Sequence, residues 1–182
     1  MSTLEVRCLD AFPDWLRSLA DDARALASVL EGEGNAVAQR RSASALNYLF
    51  KSLDLIPDGL EDLGFIDDAF VVRAAADAIR VEAESELVAD PTGTLARLAS
   101  EAELVQEFLG SEYGRLSKYV AGLEQSSVRG RSVAAILADE GVRADFVREV
   151  RQWAEGYVVP GFGRDQRNLV KLRAFLLAKL PA

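Results

Sequence analysis

Leu53-Asp54-Leu55-Ile56-Pro57-Asp58-Gly59-Leu60-Glu61-Asp62-Leu63-Gly64-Phe65-Ile66-Asp67-Asp68 sets a proline and two glycines between two apolar helical patterns. Pro57 has no N–H to donate and pushes Ile56 out of the α region, and Gly59 and Gly64 admit positive φ, so the stretch reads as a corner. The helix entering it is expected to stop near Leu53 to Ile56. A new helix is expected to start near Asp67, whose carboxylate suits an N-cap, with Ile66 and Val71 at the spacing of a hydrophobic staple.

On either side of the corner, every periodic segment has a spacing near 3.6. Upstream, Pro13 fits the N1 position of a first helix carrying Leu16, Leu19, Ala23, Leu26 and Leu30, which Gly32 and Gly34 close. A second helix runs from about Asn35 to Leu53, with Ala43, Leu46, Phe50 and Leu53 on one stripe. Downstream, Val72, Ala75, Ala76, Ile79, Ala83 and Leu87 mark a helix from Asp68 to about Ala89, which Asp90-Pro91-Thr92-Gly93 breaks. Helices follow over Leu95 to Leu109, with Gly110 just beyond, and over Tyr113 to Leu123. Ser126 to Arg131 reads as a basic link and a subdomain seam. Two short helices hinged at Gly141 come next, and Asn168 to Leu180 closes the chain. No stretch alternates cleanly enough for a strand. The expectation is an all-α single domain over 1–182, a bundle of about seven helices with a helix-corner-helix unit around 45–88 and a C-terminal helical subdomain at about 130–182.

Composition narrows the chemistry. The 182 residues contain no histidine and one cysteine, Cys8. That removes Ser-His-Asp, Cys-His and His-metal arrangements and any intrachain disulfide, and it points to a reducing cytoplasm. Nothing at the N-terminus reads as a signal peptide, and no apolar run is long enough to span a membrane. The net charge is -8, but unevenly placed: Met1 to Glu112 has 9 basic and 22 acidic residues, a net -13, and Tyr113 to Ala182 has 12 basic and 7 acidic, a net +5. Either the two parts dock on each other or the basic part meets an acidic partner.

Asp54-Leu55-Ile56-Pro57-Asp58 followed by Gly64-Phe65-Ile66-Asp67-Asp68 resembles the signature of the YkvA-like family, a bacterial domain of unknown function. On that resemblance the motif residues are Asp54, Leu55, Ile56, Pro57, Asp58, Gly64, Asp67 and Asp68, within a helical core at about 40–90. The chain departs from the family pattern where Lys51 and Ser52 replace a Ser-Pro pair and where Gly59, Glu61 and Asp62 replace apolar residues or proline. Many relatives look membrane-associated, but Arg73, Asp77 and Arg80 charge the helix after the motif, so a membrane location does not carry over.

Three functional readings follow. The carboxylates Asp54, Asp58, Asp62, Asp67 and Asp68 could converge on Mg²⁺ or Ca²⁺, which prefer oxygen ligands. The metal candidates proper are Asp54, Asp58, Asp67 and Asp68. The spacing matches no EF-hand, since Ile56 and Phe65 stand at ligand positions; the plainer reading has Asp54 and Asp58 bonding backbone around Pro57 and Asp67 capping a helix. Val133 to Val150 is weakly similar to a helix-turn-helix with Arg143, Arg148 and Arg151 on its second helix, although Asp145 and Glu149 would face phosphate. The last helix, with Arg164, Arg167, Lys171, Arg173 and Lys179, could lie on an anionic surface, but its leucine stripe suits closing a core better. No nucleophile, base or phosphate loop is recognisable. The sequence therefore favours a non-enzymatic interaction or scaffold module with a protein partner or a second copy of itself, over a divalent-metal or small-ligand binder.

Overall fold

A computed structural model describes residues 1–51, 55–60, 62–86, 90 and 92–182. Among the described residues it is all-α apart from one two-stranded ribbon. The α-helices bounded within the described residues are α1 (Thr3–Glu31), α2 (Ala36–Tyr48), α3 (Ile66–Glu82), α4 (Thr94–Leu109), α5 (Tyr113–Gly122), α6 (Val133–Ala138), α7 (Glu140–Gly156) and α8 (Gln166–Lys179). α2 and α3 end earlier than expected, α2 at Tyr48 before a turn at Leu49 and Phe50, and α3 at Glu82, where Ala83 leaves helical geometry; Leu53, Asp54, Leu87 to Ala89 and Pro91 lie outside the described residues.

The first helix corrects the sequence reading. It begins ten residues before Pro13, behind a capping box in which Ser2 accepts from the Glu5 N–H and Glu5 accepts from the Ser2 N–H. Pro13 lies inside it, and Cys8, Leu9 and Phe12 before the proline are buried along with Trp15, Leu16 and Leu19 after it. Burying three such side chains stabilises by several times about 1.5 kcal/mol, enough to offset the roughly 3 kcal/mol an interior proline costs.

α3 is the innermost element. It packs most extensively on α4 and α2, and it is buried on every side from Ile66 to Asp77. Its alanines Ala69, Ala74, Ala75 and Ala76 let those neighbours approach closely. α2 is likewise buried from Arg41 onward, and α1 packs against α7 and α2. Phe12 joins α1 to the interior, its ring 5.1 Å from Phe70, 5.4 Å from Phe108 and 6.0 Å from Phe162, all edge-on.

The expected link at Ser126 to Arg131 is a small antiparallel ribbon, β1 (Ser127–Val128) paired with β2 (Arg131–Ser132). Its turn places Arg129 at φ 52° and Gly130 at φ 75°, as a two-residue primed turn requires. Nor is Gly141 a hinge. The break between α6 and α7 is at Asp139, whose carboxylate accepts from the Val142 N–H, and Gly141 sits in the first turn of α7. At the C-terminus the expected stripe Leu169, Leu172, Leu176 and Leu180 is buried.

Candidate functional site at the corner

The corner is held by two side chains far apart in sequence. Tyr48, the last residue of α2, donates its hydroxyl to Asp67 Oδ2 at 2.5 Å and accepts the Leu55 N–H at 2.8 Å. The same Asp67 oxygen accepts the Ile56 N–H at 3.0 Å. Two consecutive loop amides, left without helical partners once α2 stops, are thus satisfied by α2 on one side and α3 on the other. Both side chains are buried, Tyr48 to 1% exposure and Asp67 to 0%. Burial pushes the Asp67 carboxyl up to about 6, even though the bonds from Tyr48 and Ile56 favour its anion. Burial, reinforced by the neighbouring Asp67 and Asp68 charges, pushes the Tyr48 phenol far up.

Asp67 is therefore not the N-cap of α3. The cap is Phe65, in the left-handed region at φ 62°, with no side-chain bond to the helix, and Asp67 is the second helical residue, its carboxylate turned back to the loop. The Ile66 and Val71 staple lapses with it. The glycines also serve differently from expectation, since positive φ falls on Asp62 and Phe65 rather than on Gly59 or Gly64. What requires glycine at 64 is contact: a Cβ there would lie 2.1 Å from the Asp58 carbonyl oxygen.

Residues 42–73 span this assembly, from the buried half of α2 through the corner to Arg73 on α3. That stretch matches the family model DUF1232, a protein of unknown function. The YkvA-like proteins belong to that family. No curated protein and no solved structure matches the chain.

The DUF1232 stretch turns its motif inward. Leu55, Ile56, Asp67 and Asp68 are buried, whereas Pro57, Asp58 and Asp62 are exposed. Among the described residues no three metal-ligating side chains gather in one place; Asp54 lies outside them. Asp62 faces the loop after α7, lying beside Gly161 and Gly163. Phe65 packs edge-on against Tyr157 at 5.5 Å and near Trp153 at 6.2 Å, so the C-terminal part covers one side of the corner. On another side a cleft of about 440 Å³ opens between the corner, the ribbon and α7. Leu49, Phe50 and Trp153 are its apolar walls, and Asp58, Arg129, Glu149 and Gln152 its polar ones. Arg129 lies 5.2 Å over the Phe50 ring.

The basic residues singled out in the second half are largely engaged within the chain. Arg143 donates to the Leu137 carbonyl, Arg148 pairs with Asp145, Arg151 with Glu31 and Arg164 with Asp10. Sequence reasoning missed a buried ion cluster midway along α3. Arg73, fully buried, pairs with Glu101 at 2.6 Å and approaches Asp22 to 3.6 Å, and Arg97 pairs with both carboxylates. Its only sequence signal is an arginine in a run of Val and Ala, which reads as a solvated position until the helix is known to be enclosed. Among the described residues no helix is long and apolar enough to cross a membrane.

Proposed function

We propose that the protein is a non-enzymatic interaction module in which the corner is a rigid platform and the adjoining cleft is the contact surface. One observation carries this reading: the buried motif carboxylate Asp67 is committed to Tyr48 and Ile56, while the cleft beside it presents a tryptophan and an arginine, the side chains that dominate binding energy at protein interfaces. The ribbon turn fixes the backbone at Arg129, and its guanidinium lies over the Phe50 ring at the mouth of the cleft.

The test is affinity capture from the native host with the intact chain and with Arg129→Glu and Trp153→Ala, each first shown to melt within a few degrees of the parent. A partner retained by the parent and lost by both variants supports the reading. Identical captures from all three chains would place the contact elsewhere.

A further inference from the structure

α8 is a purely cationic helix in an acidic chain. It carries Arg167, Lys171, Arg173 and Lys179 and no acidic residue, while the whole chain has a net charge of -8. Other arginines of the second half find carboxylates: Arg148 pairs with Asp145, Arg151 with Glu31 and Arg164 with Asp10. None of the four cations of α8 makes an ion pair among the described residues, and what Arg173 finds is the Leu109 carbonyl at 3.4 Å. Like charges gathered on one helix and left uncompensated attract an anionic partner.

The leucines of α8 are turned to the core, so the cations border its outer side. Val170, Ala174 and Ala178 form an exposed row at four-residue spacing, with Val170 at 65% exposure. The row of Arg167, Lys171 and Lys179 runs along one side of it, and Arg173 lies on the other. The surface there is also concave. A hollow of about 250 Å³ opens between α8 and the start of α1, with Leu4, Cys8, Phe108 and Leu169 as its apolar lining and Arg173 at its edge. Beside Arg167 and Lys171 lies a groove of about 490 Å³, and Val170 lines both. The carboxylates at their edges are already engaged. Glu5 accepts from the Ser2 N–H and from Gln166 Nε2, each at 2.6 Å, and Asp165 accepts from the Arg167 N–H at 2.9 Å.

An apolar hollow large enough for a leucine or phenylalanine side chain, set among unpaired cations, suits a protein segment better than other polyanions. A bilayer is gripped by bulky apolar side chains laid into it, and the outward row of α8 offers one valine and two alanines. A nucleic acid strand stacks its bases on exposed aromatic rings, which that row lacks. We infer that the outer face of α8 binds an acidic segment of another protein, with an apolar side chain of that segment in the hollow beside Val170 and its carboxylates on Arg167, Lys171 and Arg173. The face shares no residue with the corner cleft, and neither reading depends on the other.

The experiment titrates the full chain into a fluorescein-labelled peptide of two glutamates, a leucine, a phenylalanine and two further glutamates, and follows its anisotropy. Saturable binding is expected, and it weakens as salt rises. It should be roughly tenfold weaker when alanines replace the leucine and phenylalanine, and roughly fivefold weaker for a chain with Arg167→Gln and Lys171→Gln, the worth of two exposed ion pairs. Neither side chain bonds another residue, so this double variant should keep the melting temperature of the parent. A charge-matched control, Arg17→Gln with Arg24→Gln on α1, should bind like the parent. The inference is overturned by the absence of saturable binding into the millimolar range, by equal affinity for a peptide with glutamines in place of its glutamates, or by equal effects of the two double variants. Tighter binding to oligouridylate or to phosphatidylglycerol vesicles than to the peptide overturns it as well. Self-association of the parent that is lost with Arg167→Gln and Lys171→Gln would assign the face to a second copy of the chain instead.

Discussion

Asp67 shows how one side chain can decide a local fold. Replacing it with Ala leaves the Tyr48 hydroxyl and the Ile56 N–H buried without an acceptor, and each such orphan costs about 1–3 kcal/mol. Asp67→Ala is therefore expected to lose about 2–4 kcal/mol in urea denaturation, and Asp67→Asn, which keeps an oxygen, clearly less. The charge gives a separate signature. Its folded-state pKa of about 6 stands above the ordinary 3.8, so the folded protein binds the proton more tightly than the unfolded chain. The stability this contributes is fully present below about pH 4 and is lost as pH rises through about 6. Relative to Asp67→Asn, the parent should thus lose stability between pH 4 and 7; a parallel pair of curves would mean that the carboxyl is not desolvated. Gly64 gives the steric counterpart. Gly64→Ala forces backbone at Asp58 to move and should cost at least about 1–3 kcal/mol, whereas Gly59→Ala, with nothing within 4 Å of the new methyl, should stay within about 0.5 kcal/mol. Equal melting temperatures for the two variants would remove the close approach from the account.

Among the elements, the long helices were legible because their apolar residues recur every three or four positions, and the stripes on α4 and α8 fell where periodicity put them. What escaped reading lacked a local pattern. Asp67 looked like a cap because its true partner, Tyr48, is nineteen residues upstream, and no spacing rule joins them. The ribbon escaped because Arg129-Gly130 is a poor primed-turn pair; only the glycine advertises positive φ. Pro13 misled for the opposite reason, since an intrinsic preference for the first turn yielded to the burial of Cys8, Leu9 and Phe12. Pro13→Ala restores a donor for the Leu9 carbonyl without touching the core, so it should stabilise by about 1–3 kcal/mol in equilibrium unfolding. A loss instead would mean that the proline shapes the helix so that Phe12 and Trp15 meet Phe70.

At the scale of the molecule, the opposite charges of the two parts meet inside one chain, where Glu31 and Asp10 on α1 take Arg151 and Arg164 from the basic part. These exposed pairs contribute little each, and the apolar faces of α1 and α7 carry the contact, so salt should shift the melting temperature only slightly. The DUF1232 stretch lies at the centre of this arrangement, with α1, α4 and the C-terminal part around it. Its corner is accordingly read as an internal clamp between α2 and α3. Native-state hydrogen exchange of the Leu55 and Ile56 amides tests this most directly, measured with Mg²⁺, with Ca²⁺ and with chelator. The clamp predicts that both amides exchange only through global unfolding, at the same rate in all three conditions. Exchange through a low-energy local opening, or protection that appears only with a metal ion, would contradict it and return the acidic corner to the status of a ligand site.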